Sequence, residues 1–302
     1  MQQCPMRIQK FSDGKTFVAI DLPGTPTATG IVRLAPKILQ GGAKDLARSL
    51  TYSYACLGLE VSGASAGISA PPEERDEAVA RFVSELAEQD ARWFHVDAGK
   101  GVDESDLAAL RDGDPRHPGS LDAAAAIRVA GIVAAVDHVV DDLSAATIAT
   151  DVTWDTDVLA ALTAAGATVA ETDDPYAADV DVLLTGAKTG VVDHTVAERI
   201  TAKAICPVAP LPITAKAFAA LRRAGTIVLP DFVTLAAVPA ASFAAADLET
   251  GELAQYGAAA VTDILDEVID HDEGPYLGAC LRAEAFLGTW QEQLPFGRPF
   301  AA

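Results

Sequence analysis

The residues of this chain whose types suit chemistry gather in a few places. His95 and Asp97 stand two positions apart in FHVDAGK, with Lys100 just beyond, and a His/Asp/Lys cluster at a strand end would supply acid and base groups near neutral pH. The plainer reading, a strand-end histidine that packs or hydrogen-bonds, is favoured. Ser65 lies in Gly63-Ala64-Ser65-Ala66-Gly67. A nucleophilic serine needs a base, the sequence identifies none, and a run of small residues is by default a packing motif. His138 with Asp137, Asp141 and Asp142 would offer metal donors on neighbouring turns, as would the segment 269–273, IDHDE. Acidic helix ends recur along the chain, so no metal site is assigned. Trp154 would stack on a flat ligand or fill space, and filling is favoured.

The elements that must position these groups begin with the stretch 47–68, ARSLTYSYACLGLEVSGASAGI. Leu46, Leu50, Tyr54 and Leu57 recur at helical spacing and small residues crowd positions 62–67, so the pattern predicts a helix, a strand-like LGLEV and a small-residue turn. Upstream, 16–22 and 30–34 are β-type runs joined by PGTPTAT and predict a hairpin or adjacent pair. Pro71-Pro72 opens an amphipathic acidic helix, and 92–96 is the next strand candidate. The Gly-, Pro- and charge-rich 112–120 marks a domain boundary. Beyond it, short apolar strands alternate with short helices as far as TIVLPDF, with Gly166, Gly186 and Gly225 at abrupt ends, which is the pattern of a parallel sheet covered on both faces. From 245 onward only helical period is seen. The expected architecture is α/β in two domains: an N-terminal α/β domain at 1–118, a Rossmann-like, doubly wound parallel-sheet domain at 119–243, and C-terminal helices at 244–302 packing back on the first.

The bulk numbers narrow the function classes. A chain of 302 residues, half of them hydrophobic, can bury two cores. Its 43 acidic against 22 basic residues, net -21, argue against binding nucleic acid or an anionic membrane. Cys4, Cys56, Cys206 and Cys280 show no CxxC spacing and read as reduced thiols. The N-terminus lacks a signal-peptide pattern, and the apolar stretch 121–140 carries Asp122, Arg128, Asp137 and His138, which suits a core helix better than a membrane span. A cytoplasmic protein is expected.

Three segments in order carry a resemblance: GIVR at 30–33, LTYSYA at 50–55 and SGASAGI at 62–68. They are similar to GGIR, MTYKNA and GGGKGGI of the glutamate/leucine/phenylalanine/valine dehydrogenases. The run from DVDVLLTG to TIVLPDFV is similar to that family's second domain, so the resemblance spans about 30–238. It implies a substrate- and oligomerisation-type first domain, an NAD- or NADP-binding second domain, and assembly into oligomers.

The same resemblance implies that the chemistry has been altered. The family's two active-site lysines fall on Ser53 and Ser65, and no serine supplies the cationic stabilisation a lysine gives a carboxylate or an oxyanion. The catalytic aspartate falls on Gly99, beside Lys100. The glycine-rich phosphate loop falls on Thr150, Asp151, Val152, Thr153, Trp154 and Asp155, without a glycine and with two acids where phosphates would lie. At ~4 Å such a like-charge pair is unfavourable by several kcal/mol. Asp173 or Asp174 stands where a ribose-binding acid would, although a solvated loop acid is the favoured reading. The E-G-A-N stretch has become Pro207, Val208, Ala209 and Pro210.

Three readings follow. The first is a dehydrogenase-like protein without oxidative deamination activity, acting as a regulatory or scaffold subunit in a homo-oligomer or beside an active paralogue. The second is an NAD(P)-linked oxidoreductase or other enzyme with new site residues such as His95, Lys100 or Asp155. The third is a small-molecule binding or sensing protein. No cofactor is assigned; NAD or NADP is expected if the family chemistry is kept.

Overall fold

The computed structural model describes residues 6–88 and 93–301. They divide into two compact units, 6–88 and 93–115 with 284–299, and 116–283 with 300–301. Cys4 and Arg92 lie outside the described residues.

The first unit contains strands β1 (Arg7–Lys10), β2 (Phe17–Ile20) and β3 (Ala28–Ala35), helix α1 (Gln40–Cys56), strand β4 (Ser62–Ser69), helix α2 (Arg75–Ala87) and strand β5 (Phe94–Ala98). They form one mixed sheet in the order β1-β2-β4-β3-β5. β1 pairs antiparallel with β2 and β2 with β4, while β3 runs parallel to both β4 and β5.

Three sequence expectations are corrected here. The small-residue stretch is the central strand β4, with LGLEV a turn and loop before it. β2 and β3 do not pair, because β4 lies between them and the hairpin partner of β2 is β1. The strand expected at 92–96 is described as Phe94–Ala98.

The composition of β4 follows from what covers it. Ala64, Ala66 and Ile68 face the apolar core that Val79, Phe82 and Leu86 of α2 complete. On the opposite face, a Cβ at Gly63 would lie 2.0 Å from the Ala47 carbonyl oxygen and 2.6 Å from the Thr51 nitrogen of α1. Helix backbone therefore rests directly on strand backbone, and Gly63 N–H donates to Thr51 Oγ1 at 2.9 Å. Glycine is required there because the contact leaves no room for a side chain. The C-terminal segment is tied to the same unit: Arg48 pairs with the buried Asp21 at 2.6 Å and donates to the carbonyls of Phe296 and Gly297.

The second unit opens with helices α3 (Gly119–Asp122) and α4 (Ala124–Val139). It continues through β6 (Thr147–Thr150), α5 (Thr156–Ala164), β7 (Thr168–Val169), β8 (Val182–Thr185), α6 (His194–Ala197), β9 (Ala204–Pro207), α7 (Ala215–Ala224) and β10 (Ile227–Val228). Helices α8 (Asp231–Thr234), α9 (Ala237–Ser242), α10 (Leu253–Val268) and α11 (Pro275–Trp290) complete the chain. The five strands are all parallel, in the order β10-β9-β8-β6-β7. Counted from β6 this is 2-1-3-4-5, a doubly wound sheet whose direction of winding reverses between β6 and β8. Local signals agree with the placement: Thr214 caps α7, and Gly225 ends it in the left-handed conformation, φ 82°. Helix α10, expected on the first domain, packs on α4 and α9, and only 284–299 of the C-terminal region cluster with the first unit.

Candidate functional site

In a doubly wound sheet, ligands bind beyond the carboxyl ends of the strands at the point where the winding reverses. Here that point lies beyond Thr150 of β6 and Thr185 of β8, which pair through Thr150 and Leu184. The residues filling it are the loop 150–155 and the turn after β8.

Asp151 points its carboxylate into this crevice and is fully engaged there. One oxygen accepts the backbone N–H groups of Gly186 at 2.9 Å and Ala187 at 3.2 Å. The other accepts the hydroxyls of Thr185 and Tyr176, each at 2.7 Å. Burial, with the hydrogen bond to Asp151 adding to it, raises the Tyr176 phenol above the usual tyrosine range, so it is held as a neutral donor. Thr150 Oγ1 accepts Val152 N–H at 2.9 Å, and Val152 is buried.

Asp155, at the start of α5, is fixed from the other side. Arg128 of α4 reaches it with two parallel bonds, 2.9 and 2.7 Å, and the carboxylate side chain is only 4% exposed. The two loop acids are thus held by local donors, one by four neutral groups and one by a guanidinium. Trp154 is 63% exposed, which corrects the expectation that it fills the loop. The filling is done by Asp151 and Val152, because a side chain at 154 projects outward from the turn. Asp174 pairs with Arg199, and Asp173 is exposed.

In the first unit, strand alternation puts Thr29, Ile31 and Arg33 of β3, Ser65 of β4, and His95 and Asp97 of β5 on the sheet face opposite the α2 core, the register pairing Ile31 with both Ser65 and Asp97. Ser53 and Ser65 are 3% and 0% exposed, and neither hydroxyl has a hydrogen-bond partner among the described residues. A Cβ at Gly99 would lie 2.7 Å from the Val32 carbonyl oxygen and 3.0 Å from Arg33 Cγ. An aspartate at that position would require the β3 backbone to move. His95 is buried with its Nδ1 3.6 Å from Asp114, and Arg111 lies 3.6 Å from Asp97 and pairs with Glu104. Lys100 is exposed. His95 and Asp97 therefore meet an Arg111-centred charge network.

The sequence reading missed Arg33. This half-buried guanidinium has no ion pair among the described residues, its Nε has no hydrogen-bond partner, and burial lowers its pKa. The signal was the arginine of GIVR itself, an unusual cation to place within a central strand of so acidic a chain.

Among the described residues no group of three or more His, Cys, Asp or Glu side chains is placed to hold a metal ion. No helix of the described residues is long and apolar enough to cross a membrane. Cys56, Cys206 and Cys280 are buried, and burial pushes the Cys206 thiol up to about 12. A groove of about 1160 Å³ is lined by Ala126, Val129, Ala130 and Val133 of α4 and, at one end, by Asp137, Asp141 and Asp142.

Comparison with known proteins gives a consistent picture. The family model described as Glutamate/Leucine/Phenylalanine/Valine dehydrogenase matches residues 129–242. Hetero-hexameric glutamate dehydrogenase from Thermus thermophilus, in a Leu-bound form, superposes with TM-score 0.74 at 20% identity over 93% of this chain and 87% of that one. L-tryptophan dehydrogenase from Nostoc punctiforme gives 0.69 at 18% identity over 95% and 96%, and Plasmodium falciparum glutamate dehydrogenase 0.73 at 12% over 94% and 80%. No curated protein matches the chain in a sequence comparison.

Proposed function

We propose that this chain, whose residues 129–242 match the Glutamate/Leucine/Phenylalanine/Valine dehydrogenase family model and whose fold matches that of glutamate dehydrogenase, is a member of that family without oxidative deamination activity, serving as a regulatory or scaffold subunit. The observation carrying this is Asp151: its carboxylate takes up four donors at the point in the sheet where a dinucleotide's phosphates would have to be received. A pyrophosphate brought to this loop would displace a carboxylate held by four hydrogen bonds and would meet negative charge in place of free backbone donors.

The first unit supports the same reading. Lysines at Ser53 and Ser65 would be buried ammonium groups, and Gly99 leaves no space for the aspartate of the family. If a nucleotide were bound, NAD or NADP would be the expected cofactor, with loop 150–155 and Asp174 the residues facing it. The chemistry it would supply is hydride acceptance. The subunit role draws on the hetero-hexameric state of the Thermus thermophilus enzyme, which has the same fold. Oligomerisation, with itself or with an active dehydrogenase, is part of the proposal.

The test has two arms. The purified protein is assayed for NAD- and NADP-linked deamination across a panel of amino acids, with no turnover above a heat-killed control expected. The tagged protein is then used to capture partners from its own cells, and a full-length dehydrogenase is the expected partner. Saturable turnover of any amino acid would overturn the proposal.

A second reading, a binding protein for a small anion, is favoured by Arg33, whose charge is disfavoured by burial and has no counter-ion among the described residues. An anionic ligand would complete it. A panel of small carboxylates screened by thermal shift, with R33A as the control, separates this reading from the first.

A further inference from the structure

The four donors that hold Asp151 come from three places in the chain. Thr185 ends β8, Gly186 and Ala187 form the turn after it, and Tyr176 stands on the short helical turn Pro175–Ala177. They converge on the two oxygens of a single carboxylate at 2.7, 2.9, 3.2 and 2.7 Å. Two successive backbone N–H groups aimed at one oxygen make an anion-binding concavity, and the two hydroxyls complete it for the other. Among the described residues no cation takes part. The match is to a planar group with two oxygens.

We infer that this crevice is a carboxylate-binding cradle whose ligand is supplied by the chain itself, Asp151, so that the site is closed to outside anions for as long as that side chain is present. Tethering explains the closure. An occupant joined through one methylene has an effective concentration far above the millimolar range of short flexible linkers, so a free anion at ordinary concentration does not displace it. The ligand class that enters the emptied cradle is the small monocarboxylate. A tetrahedral phosphate would put a third oxygen where the cradle offers no donor. This inference rests on the functional reading above and extends it, since it states what the crevice binds in place of a phosphate.

The test is chemical rescue. In Asp151→Ala the carboxylate is removed and its donors are left in place, and formate is the probe that restores it. The unfolding midpoint of D151A is expected to rise saturably with formate, by roughly 3 °C or more over sodium chloride of matched ionic strength. The wild-type protein and Asp151→Asn, whose side chain still fills the cradle, are expected to show no such difference. Adding Thr185→Val to D151A removes one donor and is expected to weaken the response at least several-fold. Should D151A not accumulate as folded protein, Asp151→Ser carries the same comparison. The inference is overturned if the emptied variant answers formate no more than chloride, or keeps its full response once Thr185→Val is added. An equal response to phosphate would overturn the assignment to carboxylates. None of these outcomes alters whether the wild-type chain binds a dinucleotide, which is measured separately.

Discussion

Replacing Arg128 by alanine should cost more stability than replacing its partner Asp155, and the difference can be worked from the burial of the two groups. The Asp155 side chain is 4% exposed and the Arg128 side chain 30%. R128A leaves a carboxylate buried without its cation, a defect that typically costs about 3–5 kcal/mol. D155A instead strands a guanidinium that reaches solvent and keeps its contact to the Val208 carbonyl at 3.4 Å, so about 1–2 kcal/mol is expected. The double variant should be more stable than R128A alone. Urea unfolding followed by far-ultraviolet circular dichroism measures all three, with midpoints compared at equal m. If R128A were no worse than D155A, Asp155 would not be a buried partner of Arg128, and the closed loop would lose one of its two anchors.

Further outcomes follow from other parts of the structure. Gly63→Ala forces a methyl group against α1 backbone at 2.0 Å and should destabilise by about 3 kcal/mol or more in the same urea assay; a neutral effect would mean that the helix does not rest on β4. The Ser53→Lys, Ser65→Lys double variant should lose stability and gain no deamination, because both side chains would be buried and Gly99 and Asp151 remain; measurable activity would prove the reading of the loop wrong. Asp181, drawn down to about 2 by Lys203 first and then by Thr147, favours the folded state above the unfolded carboxylate pKa and loses that contribution as pH falls from about 4 toward 2. Solvent screening holds its value to about 1 kcal/mol, so D181N and wild-type midpoints should differ near neutrality and converge in acid. Tyr176 has the opposite sign: its raised phenol pKa means the folded chain keeps a proton the unfolded chain releases, so stability falls above about pH 10, and Y176F should flatten that fall.

The second unit was legible because its central strands β8 and β9 are buried on both faces and its strands are separated by short helices, so apolar runs and terminal glycines marked them directly. β4 was not legible. Serine, glycine and alanine have low strand propensity, and at Gly63 the residue is fixed by α1 backbone lying too close for a side chain, a tertiary cause with no local signature. The pairing of β2 with β1 was hidden for a related reason, since β1 reads RIQK with no apolar run. In the loop 150–155 the sequence shows two acids at the place where the family resemblance implies phosphates. It could not reveal that Asp151 meets donors 25 to 36 positions away, or that Asp155 meets Arg128 from the preceding helix. Trp154 was misjudged because size suggested filling, whereas the turn directs it outward.

Titrating NADH into the wild-type protein while following nicotinamide fluorescence, with NADPH in parallel, tests most directly the proposal that Asp151 closes the crevice at the winding reversal to a dinucleotide. No saturable change is expected up to about 1 mM, a limit corresponding to binding weaker than about 4 kcal/mol. Saturable binding of either nucleotide in the micromolar range would contradict it.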